Sequence, residues 1–187
     1  MKIEETIIPG VLIVKPNVFE DDRGFFLESY NRREFLHAGI TDEFVQDNHS
    51  KSTKGVLRGL HYQKNFPQGK LIRAIQGEVL DVVVDIRKGS PTFGKWISII
   101  ISSDNKKQVW VPKGFAHGFS VLSDVAEFCY KVTDYYHPED EKGILWNDPQ
   151  LAIDWKVENP VLSQKDQDLP LLKDLNQDLP FFEPDSF

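Results

Sequence analysis

The stretch that decides the fold runs Leu80-Asp81-Val82-Val83-Val84-Asp85-Ile86. Its apolar side chains follow one another almost without a break, and most of them are β-branched. This pattern predicts a strand that is covered on both faces or crosses a core. Gln76-Gly77-Glu78 precedes it, and we expect a hairpin turn there, with Gly77 at positive φ.

Further short segments of the same character lie on both sides of this strand. Each is rich in β-branched or aromatic residues and is bounded by Gly, Pro, Asp, Asn or Ser. They are Val11–Val14, Phe25–Tyr30, Val56–Tyr62, Leu71–Ile75, Trp96–Ile101, Val109–Val111, Gly118–Leu122 and Glu127–Thr133. Helices are expected at Asn31–Ala38 and, as a single turn, at Ser163–Asp168. The sequence therefore predicts a mainly β protein built as a sandwich, jelly roll or barrel.

A length of 187 residues predicts one domain spanning 1–187. The C-terminal part, 163–187, holds six acidic residues but only two lysines, so it is acidic. It also contains three prolines. We expect this segment to wrap the sandwich as an irregular acidic coil instead of joining a sheet.

The overall charge and composition narrow the function classes. The net charge of −7 argues against nucleic acid and against an anionic membrane surface as partners. The single cysteine, Cys129, excludes an intrachain disulfide framework and a cysteine-rich zinc site. No signal-like segment or membrane-length apolar run is visible, so we expect a cytoplasmic protein.

Three segments combine polar functional groups with strand-like surroundings: 46–50, 57–63 with Lys70 close behind, and 111–119. Alternate residues of a strand share a face, so Gln46 and Asn48 point the same way. The same arithmetic separates Arg58 from His61, unless Gly59 marks a β-bulge.

Taken one at a time, these residues also have ordinary structural explanations. A strand histidine is more often a hydrogen-bonded residue than a catalyst, Arg58 fits a surface ion pair, and Lys70 fits an edge-strand charge. A metal site would draw on the five histidines, His37, His49, His61, His117 and His137. No His-x-His pair occurs, so the ligand pattern for a metal is thin.

Seven motifs follow one another in an order found in one enzyme family: Arg23–Glu28, Gln46–Ser50, Arg58–Gln63, Gly77–Arg87, Ser90–Gly94, Val111–Phe119 and Leu162–Asp166. By these residues the chain resembles the dTDP-4-dehydrorhamnose 3,5-epimerases over nearly its whole length. The resemblance implies a cupin-type jelly roll, a homodimer, and no metal or organic cofactor. It also implies conversion of dTDP-4-dehydro-6-deoxy-D-glucose to dTDP-4-dehydro-L-rhamnose in dTDP-rhamnose biosynthesis.

The resemblance assigns four catalytic positions. His61 would be the base, oriented by Asp166 as in other His–Asp pairs. Tyr130 would be the acid at C5. Lys70 would stabilise the enolate oxygen that develops at C4.

The resemblance also assigns substrate-binding positions: Arg23, Phe26, Glu28, Gln46, Asp47, Asn48, Arg58, His117, Glu141 and Lys165. Arg23, Arg58 and Lys165 suit a pyrophosphate. Phe26 would either stack near the thymine or pack beneath it. The family carries Arg23 and Glu28 near the dimer contact, which implies that a neighbouring chain contributes to the pocket.

Three alternatives stay open. One is a relative that epimerises C3 alone or C5 alone on a related dTDP-4-keto-deoxysugar. Another is a metal-dependent cupin, and the third is a noncatalytic sugar-nucleotide binder on the same fold.

Overall fold

The computed structural model describes residues 1–182, and its architecture is two antiparallel sheets with a separate hairpin. The strands of the first sheet are, in spatial order, β1 (Lys2–Glu5), β2 (Leu12–Lys15), β10 (Gln108–Val111), β7 (Lys70–Gln76), β12 (Val125–Val132) and β5 (Gln46–Thr53). Those of the second are β13 (Glu141–Gly143), β6 (Leu57–Gln63), β11 (Phe115–Val121), β8 (Glu78–Asp85) and β9 (Trp96–Ser102). The hairpin pairs β3 (Val18–Asp21) with β4 (Gly24–Leu27). The predicted jelly-roll class is confirmed.

The strand that decides the fold is buried on both faces. Val79 and Val83 point between the sheets, where they pack with Ile72 and Phe128 of the first sheet. The alternate side chains of β8, such as Val82, pack on the outer side. Every residue from 79 to 85 is buried, as its continuous apolar pattern predicts.

The prediction of a hairpin at Gln76–Glu78 is wrong. Strands β7 and β8 belong to different sheets, so the turn carries the chain from one sheet to the other. Gly77 does take a positive φ of 71°, and a Cβ at this position would lie 2.0 Å from the carbonyl oxygen of Val125. Close approach of two backbones therefore requires glycine here.

Both predicted helices are present and short. Helix α1 (Arg32–His37) begins after Asn31, whose side chain accepts from two backbone N–H groups, and its Phe35 is buried on the outer side of the first sheet. Helix α2 (Gln164–Gln167) begins after Ser163, whose hydroxyl accepts from the Asp166 N–H.

The C-terminal segment covers the outer face of the second sheet. A 3-10 turn at Leu172–Asp174 follows α2, and Leu172, Leu175 and Leu179 are buried against that sheet. Phe181 forms an isolated bridge with Lys88. The expectation for this segment extends to 183–187, which lie outside the described residues.

Candidate active site

The site forms between the inner faces of the two sheets, at the end where β7 begins. In the first sheet, the inner row crosses from Ile72 to Tyr130 and on to Asn48, with Lys70 and Gln46 two residues away on the same face. In the second sheet, His117 is paired in register with His61. Side chains from five strands therefore converge on one space.

A β-bulge brings Arg58 and His61 onto the same face. Three residues of β11, His117 to Phe119, lie opposite four residues of β6, Arg58 to His61. Gly59, inside that interval, has φ 117°. Leu57, Leu60 and Tyr62 then pack on the outer side of the sheet, which leaves Arg58, His61 and Gln63 inward. The bulge that the sequence leaves open at Gly59 is therefore present.

His61 is held by a buried carboxylate. Its Nε2 lies 2.5 Å from Oδ1 of Asp166, whose other oxygen accepts from the Ser163 hydroxyl at 2.9 Å. Burial acts to raise the pKa of Asp166, but the hydrogen bonds from His61 and Ser163 outweigh it and the pKa is lowered. Because an ionised carboxylate can only accept, Nε2 carries the proton and Nδ1 holds the free lone pair.

Glu141 lies on the other side of the imidazole. Its Oε1 is 3.7 Å from His61 Nδ1, while its Oε2 accepts from Tyr136 at 2.5 Å and from the Lys165 ammonium. Burial acts to raise the pKa of Glu141, yet the hydrogen bonds from Lys165 and Tyr136 outweigh it, and the pKa is lowered. In return, the bond to Glu141 raises the pKa of Tyr136 to about 12.

Lys70 and Tyr130 face this group from the first sheet. Burial lowers the pKa of Lys70 to about 8, and the negative charges of Glu141 and Asp81 oppose that fall. Burial and the charge of Glu141 raise the pKa of the Tyr130 hydroxyl, against the influence of Arg58. Strand β7 lies between β10 and β12, so Lys70 is not an edge-strand charge. The site thus holds a lysine that titrates near neutrality and a tyrosine that stays protonated.

His117 has a carboxylate of its own. Its Nε2 lies 2.7 Å from Oδ2 of Asp81, and both residues are buried. The other oxygen of Asp81 is buried without a hydrogen-bond partner among the described residues. Its charge acts on Lys70, so Asp81 links His117 and Lys70 electrostatically.

The polar side chains at the rim of this space are partly tied together. Gln46 Nε2 donates to Asn48 Oδ1 at 2.9 Å, as their shared face predicts. Arg58 Nε donates to the Ser52 hydroxyl at 3.3 Å, which leaves the rest of its guanidinium available. With Lys165, the rim offers two cationic groups to an anionic ligand.

Four of the residues expected to bind substrate are not brought to this cluster within one chain. Asp47 points to the opposite face of β5, where it pairs with Lys131 at 2.9 Å. Arg23 binds its neighbour Asp21, and Glu28 accepts from Asn31. Phe26 stands on the hairpin with 70% of its surface exposed.

Sequence reasoning missed two residues, Asp81 and Ser163, that the structure adds to the site. Asp81 interrupts an apolar strand, a signal that could have singled it out, since buried carboxylates need a partner. The sequence leaves open whether Tyr136 reaches the sugar or closes the barrel mouth, because its role depends on where its loop meets Glu141. Ser163 begins the predicted helical turn, and in the structure it both caps that turn and donates a second hydrogen bond to Asp166.

The histidines do not converge on a common ligand site. Among residues 1–182, no group of three or more His, Cys, Asp or Glu side chains is arranged to hold a metal ion. His49 lies outside the barrel near Glu127, at 3.1 Å. In the same described part of the chain, no helix is both long and apolar enough to cross a bilayer.

Comparison with known proteins places the chain in a family of sugar-nucleotide epimerases. Residues 5–174 match the family described as dTDP-4-dehydrorhamnose 3,5-epimerase. The dTDP-4-dehydrorhamnose 3,5-epimerase of Shigella flexneri is 60% identical over 168 residues, which is 89% of this chain and 93% of that protein.

Solved structures give the same result. The crystal structure of a dTDP-6-deoxy-D-glucose-3,5-epimerase from Legionella pneumophila, in complex with dTDP-4-keto-L-rhamnose, has a TM-score of 0.95 and 54% identity, covering 97% of this chain and 98% of that one. A 3'-monoepimerase from Streptomyces bikiniensis, in complex with dTDP-quinovose, has a TM-score of 0.88 and 33% identity over 94% and 91% of the two chains. The chain belongs to the dTDP-4-dehydrorhamnose 3,5-epimerase family.

Proposed function

We propose that this chain converts dTDP-4-dehydro-6-deoxy-D-glucose to dTDP-4-dehydro-L-rhamnose by exchanging the protons at C3 and C5, without a metal or organic cofactor. The observation that carries the proposal is the placement of His61, held by Asp166 of α2, on one sheet, opposite Lys70 and Tyr130 on the other. Carbons next to a ketone lose a proton when a base is at hand and the enolate oxygen is stabilised.

His61 is the base. With Nε2–H donated to Asp166, the lone pair on Nδ1 accepts the proton from carbon, and the resulting imidazolium lies between two carboxylates. Asp166 and Glu141 both have a lowered pKa, so they are ionised at neutral pH and favour that cation. The electrons of the C–H bond move into the C4 carbonyl.

Lys70 stabilises the negative charge that appears on the C4 oxygen. As an ammonium in a half-buried position, it needs little reorganisation when the charge forms, and such a preorganised group contributes about 3 kcal/mol. Its pKa of about 8 means that it is mainly charged at pH 7.

Tyr130 returns a proton at C5. It stands on the first sheet and His61 on the second, so the two reach a ring bound between the sheets from opposite sides. Its raised pKa keeps the hydroxyl protonated until the carbanion forms. Inversion requires this arrangement, because the proton must leave from one face and return to the other.

The rim binds the rest of the substrate. Arg58 and Lys165 are suited to the pyrophosphate, and Gln46, Asn48, His117 and Glu141 to the sugar and nucleoside hydroxyl and carbonyl groups. Arg23, Phe26 and Glu28 are exposed on or beside the β3–β4 hairpin, and we propose that they complete the pocket of a second copy in a homodimer. Asp47, on the outer face, would bind through its backbone. A cytoplasmic location completes the proposal.

The test replaces the base without changing its shape. His61→Asn should abolish deuterium uptake from D2O at both carbons, while the affinity for dTDP stays within about threefold, since nucleotide contacts lie elsewhere. His49→Asn, on the outside of the barrel, is the matched control and should behave as the wild type. Undiminished exchange in His61→Asn would refute the assignment of the base.

Epimerisation at one carbon is the second candidate, and the likeness to a 3'-monoepimerase favours it. In that case, deuterium would enter at C3 and never at C5. A metal-dependent activity would be lost on treatment with EDTA and regained with added metal, and a noncatalytic binder would hold dTDP without any proton exchange.

A further inference from the structure

Gln63, the last residue of β6, has a role that the proposed chemistry does not use. Its carboxamide is buried with 6% of the residue exposed, and it faces inward in the same row as Arg58 and His61. Burial of an amide is unfavourable unless its hydrogen bonds are made. Every hydrogen bond that the structure shows for the Gln63 carboxamide is made with a backbone group in one of two loops.

These bonds surround one residue of the site. Gln63 Oε1 accepts from the His137 N–H at 2.8 Å, and Gln63 Nε2 donates to the Tyr135 carbonyl at 3.1 Å. The same nitrogen donates to the Phe66 carbonyl at 2.6 Å. Tyr136 lies between the first two anchors, so the carboxamide fixes the backbone on both sides of it.

Other contacts join the same two loops around Gln63. Asp140 accepts from the N–H groups of Asn65 and Phe66 at 2.8 and 2.9 Å. The rings of Phe66 and His137 stack at 4.1 Å. The segment from Tyr135 to Asp140 is thus held against the start of the 64–68 loop, with the carboxamide of Gln63 beneath it.

Tyr136 connects this framework to the reacting end of the site. Its hydroxyl donates to Glu141, which lies 3.7 Å from His61 Nδ1. About half of Tyr136 is exposed, so one face of the ring is open to a ligand at the mouth of the barrel. A shift of its backbone would move that face.

We propose that Gln63 is a positioning residue, which holds Tyr136 so that its ring and hydroxyl form one wall of the substrate site. The inference rests on the proposed function, since it assigns Tyr136 to substrate binding. Glu141 keeps its own backbone pairing with β6, so loss of the Gln63 carboxamide disturbs the wall and leaves the His61 environment in place. Gln63 therefore sets affinity, while His61, Lys70 and Tyr130 set the rate of proton transfer.

The experiment compares Gln63→Ala and Gln63→Glu with the wild type in initial-rate kinetics and in direct titration with dTDP. Gln63→Glu keeps the acceptor for His137 but sets a carboxylate against two carbonyl oxygens. We expect KM and the dTDP Kd to rise about tenfold in both variants, with kcat changed by less than about threefold. Gln68→Ala, which removes one bond from a glutamine to the same loop at Asp134, is the matched control and should leave both constants within about twofold.

A double-mutant cycle separates positioning from general loosening. If Gln63 acts through Tyr136, Gln63→Ala should add less than about twofold to the Kd of Tyr136→Ala. Additive effects would overturn the proposal, as would a fall in kcat at unchanged KM or an equal effect of Gln68→Ala. Wild-type enzyme that binds dTDP but exchanges no proton would instead refute the proposed function, so the two failures are distinguishable.

Discussion

Replacing Asp166 with asparagine changes one oxygen of the carboxylate that holds His61. The bond from His61 Nε2 to Asp166 Oδ1 is 2.5 Å long, and Asp166 is 3% exposed, so water cannot replace the lost charge. Hydrogen bonds to charged groups contribute about 1.5–3 kcal/mol. At about 1.4 kcal/mol per factor of ten, kcat should fall by about 10- to 150-fold. The carboxylate stabilises the imidazolium that forms during the reaction and does not contact the bound substrate. Its loss should therefore lower kcat and change KM little.

Initial rates at saturating substrate, together with the dTDP Kd, measure this effect. Asp168→Asn is the matched control, because Asp168 closes the same short helix but is exposed and bonds to Gln164. It should retain wild-type kcat. An Asp166→Asn enzyme with wild-type kcat would refute the claim that the carboxylate orients and stabilises the base.

Three further predictions concern the neighbours of this pair. Tyr130→Phe should retain deuterium exchange at C3 and lose inversion at C5, because the phenol proton is missing; NMR of the product checks this, and normal inversion at C5 would contradict it. In the wild type, kcat/KM should fall as pH rises through about 8, where Lys70 loses its proton. In Asp81→Asn that limb should move to lower pH, because the charge of Asp81 raises the pKa of Lys70, and an unmoved or raised limb would count against the link. Ser163→Ala removes both a helix cap and a hydrogen bond to Asp166. The free energy of unfolding, measured with urea, should therefore fall by about 1 kcal/mol, and kcat should also fall. Unchanged stability and rate would refute this double role.

The strands that pack on a core were predictable from sequence. Residues 79–85 are buried throughout, as their unbroken apolar pattern predicts, and Gly59 marks a bulge where a strand glycine raised that possibility. Every side chain of strand β5 is polar, and the short β1, β3 and β13 present few apolar side chains. Local pattern is weak for such strands, because pairing with a neighbour stabilises them.

Which strands pair with each other was harder to predict from the sequence than where the strands lie. Gly77 predicts a turn with positive φ, and that is what the structure has, but the turn joins two sheets instead of forming a hairpin. A tight turn fixes only local geometry. Which sheet each strand enters depends on how the two inner faces pack, and that is a property of the whole chain.

The catalytic residues were found by resemblance, and their contacts came from the fold. The sequence alone leaves Asp166 as an ordinary acid in the first turn of a helix, because its partner lies 105 residues away. Asp81 was missed for the same reason, since its role depends on His117, and the role of Tyr136, which the sequence leaves open, depends on Glu141. Strand alternation, by contrast, correctly sets Asp47 apart from Gln46 and Asn48.

The central claim is that one sheet supplies the base for proton removal at both carbons beside a ketone, and that the facing sheet supplies the acid for C5. Its most direct test incubates the wild-type protein with dTDP-4-dehydro-6-deoxy-D-glucose in D2O containing EDTA and follows C3 and C5 by proton NMR. We predict deuterium at both positions and formation of dTDP-4-dehydro-L-rhamnose. Deuterium at C3 alone, or exchange that requires added metal, would contradict the claim.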